Sequence, residues 1–559
     1  MLIKLLPSLS FFLLWIFITP CEARNNPSSR PSEQKQTMPE FTQEPNQKPF
    51  VLPPVEDIKP KSVNTGVKVT IKRVVFSGYS VFGEDELQTI ANPFLNRAID
   101  VGDLEELRYQ LTQQYVKNGY VNSGAIIPTQ TFKEDTLNIQ IVEGKLSEIN
   151  ISGNGWLHPD YIRNRLLDDK PFNTQTFQDR YQRLLNDPLI NQLNGNLKPL
   201  PQLGESALDL QVTRARPYQL ALHFNNYNPP SVGAEQLQVE AWVRNLTRWG
   251  DKFDFRFDTS RGSDIFAGGL AMPLNAYGTV FDFHFETGRS SVVEEPLNKI
   301  NITSQVTNFN WSLSHPVYLS ADQNLTFGVS FASRLNQTGL LNNPSFPFIP
   351  GLENGRSKAV SLRFSQDYSG RFENHVIAAR SSFSVGLGGV FGSTVQADSD
   401  GPDSRYFAWL GQMQYAWKAM ENGAQLQLRG NLQLSNEALL PQERIAVGGV
   451  YSVRGYRENE LVRDNGYSGS IEFHYPVFAM QGIYTNQLTI FPFMDVGAGW
   501  NNHENADYLH AIGIGTSWQG FKHVKADFYY AHNIGKKVNK VSHDLQDDGV
   551  FFNVSVFAF

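Results

Sequence analysis

"DKFDFRFD", Asp251 to Asp258, sets Phe253, Phe255 and Phe257 against Asp254, Arg256 and Asp258. Successive side chains of a strand point to opposite faces, so this segment has one aromatic face and one charged face. "TVFDFHFE" repeats the device, with Phe281, Phe283 and Phe285 against Asp282, His284 and Glu286. "NLTFGVSF" (Leu325, Phe327, Val329, Phe331) and "QLQLRGNLQLS" (Leu426, Leu428, Leu432, Leu434) carry it on toward the C-terminus. A water-soluble β-sandwich is the ordinary reading of such strands. The length of the series and the aromatics near strand ends, as in "AWVRNLTRW" and "FAWLGQMQYAW", point instead to a barrel with lipid outside and a polar lumen.

The first residues agree with a membrane destination. "MLIKLLPSLSFFLLWIFITPCEARNN" has one cation at Lys4, an apolar stretch and then small residues, the pattern of a secretory signal peptide. Cleavage after Ala23 is expected; lipoprotein processing at Cys21 is the alternative, and Pro20 fits it poorly. Cys21 is the only cysteine, so the mature chain is expected to have neither disulfides nor thiolate metal sites. No later stretch approaches the ~18 uninterrupted apolar residues of a membrane helix, so a span would be made of strands. With about 340 residues from 215 to 559, at roughly 20 per strand and connection, sixteen is the even number expected.

Between leader and barrel the chain changes character twice. Residues 24–66 are rich in Pro, Asn, Gln and Ser and read as a linker or plug segment. Two α+β units are expected at 67–143 and 144–214. In the first, "VTIKRVVFSG" reads as one strand and Asp103 as the cap of a helix, with Glu106 three places on. Leu104, Leu107, Leu111 and Tyr115 form its apolar stripe, and "TLNIQIVEG" closes the unit. The second repeats the order with "EINISGNG", a helix around Phe177, Tyr181, Leu184 and Leu185, and "ALDLQVTR".

Little else carries chemistry. The net charge of -7 is small for 559 residues and lacks a basic run, which argues against nucleic acid. The eleven histidines include no supported metal-ligand set. "SHD", Ser542 to Asp544, has the residue types of a hydrolytic triad, but neighbours in one loop cannot share a proton path. "GIGTSW" starts like a dinucleotide fingerprint at Gly513 and Gly515, yet Trp518 takes the third glycine's place; the glycines read as room inside a strand. No catalytic residue, metal or cofactor is expected.

"YVKNGYVNSGAIIPTQTFKEDTLNIQIVEGKL" resembles the polypeptide-transport-associated (POTRA) domain of two-partner secretion transporters (TpsB), the exporters of haemolysin and filamentous-haemagglutinin type in the BamA-like superfamily. The matching residues are Tyr115, Gly119, Tyr120, Pro128, Gln130, Glu143 and Gly144. The family usually has a glycine in the turn before the last strand, where this chain has "KEDT". "VRGY", Val453, Arg454, Gly455 and Tyr456, resembles the motif of the superfamily's long sixth loop, and "FPFMDVGAG" supplies its companion as Phe493, Asp495 and Gly497.

The resemblance runs from about residue 67 to 559. It implies two POTRA repeats ahead of a sixteen-stranded transmembrane β-barrel in the outer membrane, with the POTRA domains in the periplasm. It also implies that the sixth loop folds into the lumen with Arg454 paired to Asp495. The partners implied are outer-membrane lipid and an unfolded secreted protein of adhesin or hemolysin-like kind, exported by a monomeric, non-enzymatic pore. A barrel-assembly factor and a passive porin or receptor are the alternatives. One departure is the C-terminal strand: Asn553 and Ser555 occupy places on the Phe559 face that assembly signals usually make apolar.

Overall fold

A computed structural model describes residues 68–558, apart from 132–133, 321, 342, 344–345, 347–354, 397–400, 481–485, 522 and 536–542. The expected leader and linker, Cys21, Ser542 and Phe559 lie outside the described residues.

In the first α+β unit the alternation of Thr136–Val142 buries Leu137, Ile139 and Ile141. That strand is central, parallel to Arg73–Ser77 and antiparallel to Gly124–Ile126. Helices Glu84–Ala91 and Val101–Lys117 cover one face through Leu87, Leu107, Leu111 and Tyr115. The longer helix starts one turn earlier than the sequence reading: Asp100 is the cap, its side chain accepting from Asp103 N, and the Asp103 carboxylate returns the bond to Asp100 N. "VTIKRVVFSG" is also two strands rather than one, because Val69–Thr70 pairs with Ala98–Ile99 while Arg73–Ser77 joins the main sheet. The second unit repeats this topology. Glu205–Arg214 lies between parallel Lys145–Ser152 and antiparallel Ile190–Pro199, under helices Pro159–Leu166 and Thr174–Leu185.

Sixteen antiparallel strands, from Tyr218–Asn225 to Val550–Phe557, then close a barrel, the number expected. Strand 3 (Lys252–Ser260) shows how the alternation is used. Phe253 and Phe255 are exposed on the outside, whereas Asp258 is buried within the bore. Arg256 Nη2 donates to Glu286 Oε2 of strand 5 (Val280–Ser291) at 2.7 Å. On the outside, rings from adjacent strands meet, Phe283 with Trp311 and Trp311 with Phe331, in the lipid-facing belt such barrels need. In the last strand Asn553 and Ser555 point inward, Ser555 Oγ lying 2.7 Å from His223 Nδ1, while Val554 and Val556 are exposed. The polar pair therefore faces the lumen, and the outward face of this strand is apolar.

The second unit is fastened to the barrel rim. The His158 ring stacks on Trp249 with centroids 4.5 Å apart, and Trp156 Nε1 donates to Leu246 O at 3.3 Å.

Candidate functional site

Residues 436–464 join strands 11 (Gln425–Ser435) and 12 (Asn465–Met480) at the end of the barrel away from the α+β units. Within them Ile445–Val447 pairs with Leu461–Arg463, making a hairpin whose tip carries Val453 to Tyr456. The tip turns sharply: Gly448, Gly449 and Gly455 have φ of 117°, 94° and 91°, values side chains rarely accept. The hairpin lies against the wall because strand 13 (Asn486–Trp500) leaves room for it. A Cβ at Gly497 would stand 2.7 Å from Val447 Cγ1 and Val453 Cγ2, two residues almost wholly buried there.

Arg454 is 1% exposed and Asp495 0%. The guanidinium meets the carboxylate through two bonds, Nε to Oδ2 at 2.7 Å and Nη2 to Oδ1 at 2.8 Å, and Arg454 N also donates to Oδ2 at 3.0 Å. Its Cζ stands 3.4 Å from the centroid of the Phe493 ring, which supports the plane from one side. That ring lies over Gly513 of strand 14 (Asp507–Gly520), where a Cβ would come within 2.4 Å of it. Gly513 of "GIGTSW" thus makes room for the ring under the arginine, and Gly515 does the same for Phe491. Tyr456 OH donates to His510 O at 3.2 Å, and Asn533 Nδ2 holds Gly455 O at 3.1 Å.

Strand 12 supplies partners that the sequence reading missed. Arg454 Nη2 donates to Ser470 Oγ at 2.9 Å and Glu472 Oε1 at 2.7 Å, and Ser470 Oγ donates to Asp495 Oδ1 at 2.6 Å. Glu472 also contacts His474 and Arg429. Alternation in "GSIEFH" places Ser470 and Glu472 on the inner face, but only the register with strand 13, which pairs Ser470 with Asp495, brings them together.

A second buried cluster holds the stem of the same loop. Glu443, 4% exposed, lies between two wall arginines, accepting from Arg363 Nη2 at 2.7 Å and lying 3.4 Å from Arg334 Nη1. Those arginines come from strands 8 (Arg356–Arg371) and 7 (Gln323–Gly339).

Of the other predicted residues, Tyr115, Gly119, Tyr120, Glu143 and Gly144 gather at the joint between the α+β units, and Pro128 and Gln130 lie along the first unit's sheet. Tyr115 OH donates to Glu143 Oε1 at 2.9 Å, and Ser80 N and Val81 N donate to the same oxygen at 2.7 and 2.8 Å. Ser80 Oγ donates to the other oxygen. Burial works against this carboxylate, yet these donors outweigh it and hold its pKa below the ordinary value. Burial and the neighbouring Glu143 push the Tyr115 hydroxyl well up. Tyr120 meets the Tyr115 ring edge-on at 6.2 Å. Gly119, with φ 89°, ends the helix and accepts from Thr174 N, while Gly144 N donates to Ser123 Oγ and its carbonyl accepts from Phe172 N. Gln130, two places after Pro128, pairs its amide with both backbone groups of Asn138 and so extends the central strand's ladder. In the "KEDT" turn, Glu134 and Asp135 adopt φ of 51° and 53°, the conformation glycine would accept without strain.

Of "SHD", Asp544 caps the short turn Leu545–Asp548 and exposed His543 pairs with Asp548. Among the described residues no group of three or more His, Cys, Asp or Glu side chains is placed to hold a metal ion.

Residues 204–520, more than half of the chain and including the hairpin and both of its anchors, match the family described as haemolysin secretion/activation protein ShlB/FhaC/HecB. The chain belongs to this family. Residues 69–144 match its POTRA domain of ShlB type. Among relatives of the ShlB/FhaC/HecB family member described here is the outer membrane transporter CdiB of Dickeya dadantii, 20% identical over 511 residues, covering 89% of this chain and 88% of the relative. The heme/hemopexin transporter protein HuxB of Haemophilus influenzae is 22% identical over 481 residues, covering 78% of each. CdiB from Escherichia coli shares the fold with a TM-score of 0.68 at 18% identity, over 92% of this chain and 94% of that one. BamA from Haemophilus ducreyi lacking POTRA domains 1–3 gives 0.53 at 13% identity, over 88% and 100%.

Proposed function

We propose that this protein exports an unfolded secreted partner, an exoprotein of adhesin or hemolysin-like kind, across the outer membrane by two-partner secretion. The barrel sits in the outer membrane and the α+β units lie in the periplasm, where their sheet edges and apolar grooves receive an extended segment as an added strand. The segment then passes along a bore walled by groups such as Arg256, Asp258 and Glu286, which keep the peptide groups of an unfolded chain hydrated. The observation that carries this reading is the seating of the Val453–Tyr456 tip in the lumen, clamped by Arg454 on Asp495. A passive porin has no use for so costly a buried clamp, whereas a conduit for a macromolecule needs its bore occupied at rest.

The reading assigns the chain no catalytic step and no cofactor; folding of the cargo outside supplies the direction of transport. Residues 1–23 act as the export signal, 24–66 as the linker, 67–143 and 144–214 as the receiving domains and 215–559 as the pore. Deleting residues 67–143 is expected to abolish cargo release while the barrel still inserts, checked by secretion assay and by heat-modifiable mobility of the barrel. Undiminished release from that deletion would refute the assignment.

A further inference from the structure

The barrel closes along a short seam. Strand 16 pairs with strand 1 through five residue pairs, Asn553–Phe557 against Asn225–Ala221, compared with seven to strand 15 (Val524–Asn533). Beyond Asn225 a side chain replaces the ladder. Asn226 Nδ2 donates to Val550 O at 2.9 Å, Asn226 Oδ1 accepts from Phe552 N at 2.9 Å, and Asn226 N donates to Phe552 O at 3.3 Å. The outer end of the seam thus rests on one residue, through its side-chain amide and a single backbone bond, and that residue is 0% exposed.

A second buried amide, Gln546, ties this point to the pore loop. Its Nε2 donates to Asn226 O at 2.6 Å and Asn228 O at 2.9 Å, and its Oε1 accepts from Glu458 N, at the far side of the hairpin tip, at 2.8 Å. Beside it, Arg457 reaches Asp547 through Nε and Nη2, both at 2.6 Å, and Glu294 through Nη1 at 2.6 Å. Glu294 belongs to the loop between strands 5 and 6 (Thr303–Leu319), so this cation joins three surface loops. Withdrawing the hairpin would leave the buried Gln546 Oε1 without its donor and would take Arg457 from the Asp547 carboxylate, whose turn bond from Asp544 N remains. A buried group left without its partner is costly, so the outer end of the seam is tightest while the loop is seated.

We propose that Gln546, assisted by Arg457, is a latch through which the pore loop holds the surface end of the seam closed, so that release of the loop and loosening of the seam are one event. The inference rests on the export reading only in giving the loop a reason to move. Coupling of this kind is reciprocal: whatever loosens the seam also loosens the loop.

The test uses the full chain in planar bilayers. Gln546→Ala and Arg457→Ala are each expected to raise mean conductance about fivefold or more, the lower end of ordinary coupling between two sites. Phe224→Cys and Val554→Cys, which stand opposite one another across the seam, are then added to Gln546→Ala. Oxidation is expected to return conductance to the parental level and reduction to raise it again. Should Gln546→Ala fail to fold, Gln546→Glu keeps the acceptor for Glu458 N, loses both donations to the seam, and should behave alike. Unchanged conductance in a folded variant, or an increase that survives the seam disulfide, would overturn the latch. No cargo is needed, so lost secretion with seam behaviour as expected counts against the export reading alone.

Discussion

Arg454 and Glu143 are both charged hubs, but the molecule satisfies them by opposite means. In the bore, Arg454 is met by two carboxylates, a serine and an aromatic face. At the joint, the partly exposed Glu143 is met by four neutral donors, and Coulomb attraction plays little part. A wholly buried charge needs a counter-charge, whereas one near water is held by hydrogen bonds alone. The first arrangement fixes geometry; the second is a modest local brace.

Removing each hub measures that difference. Arg454→Ala leaves Asp495 buried without its cation, while Glu472 keeps Arg429 and His474, a loss of about 3–5 kcal/mol, and secretion should fall to background with the barrel still detectable by heat-modifiable mobility. Arg454→Lys is expected to rescue little, since an ammonium neither forks onto Asp495 nor stacks on Phe493. Rescue by lysine would show that charge alone holds the tip. Glu443→Gln probes the loop's other anchor. It should cost a comparable amount, about 3–5 kcal/mol, because the amide oxygen still accepts from Arg363 but Arg363 and Arg334 lose their buried counter-charge. Proteolysis within 436–464 should accelerate while the tip stays seated, and an Arg454-sized secretion defect would erase the distinction between tip and stem.

The sequence reached the tip more readily than its surroundings. Alternation in "DKFDFRFD" and its repeats was enough for walls and lumen, because a two-residue period leaves no choice of face, and the length of the segment supplied the strand number. The motif resemblance located Arg454 and Asp495. Ser470, Glu472, Glu443 and Gln546 stayed hidden, since each gains meaning from a register or loop path that brings distant residues together. The first unit shows a local ambiguity instead. Asp100 and Asp103, like Asp103 and Glu106, are three apart, and only the extended backbone at Asp100 (φ -107°, ψ -174°) decides which is the cap. The short helices Glu84–Ala91 and Pro159–Leu166 were also missed, each offering barely two turns of periodicity.

Smaller effects sharpen the other side of the comparison. Glu143→Gln keeps one acceptor and should cost about 1 kcal/mol, read from thermal unfolding of the α+β units within the full chain. The wild-type contribution depends on pH in a defined direction. The folded pKa of Glu143 lies below its ordinary 4.5, so its stabilisation is complete above that value and is lost as pH falls through the folded pKa. Glu143→Gln should flatten that acid limb; an unchanged limb would mean that other carboxylates dominate it. The smallest change runs the other way: Glu134→Gly relieves a left-handed backbone and should raise stability by up to about 1 kcal/mol, seen as a small increase in the same unfolding midpoint.

The seam also has a bearing on how the molecule is made. It joins residues more than three hundred places apart, His223 to Ser555 among them, and bringing such distant ends together is the slowest step of a chain's self-assembly. The hairpin and the strands it seats against, 12 and 13, follow one another directly in the chain, so the bore is furnished before its last wall is hung. During refolding, residues 436–464 should accordingly become resistant to protease before the compact gel form appears.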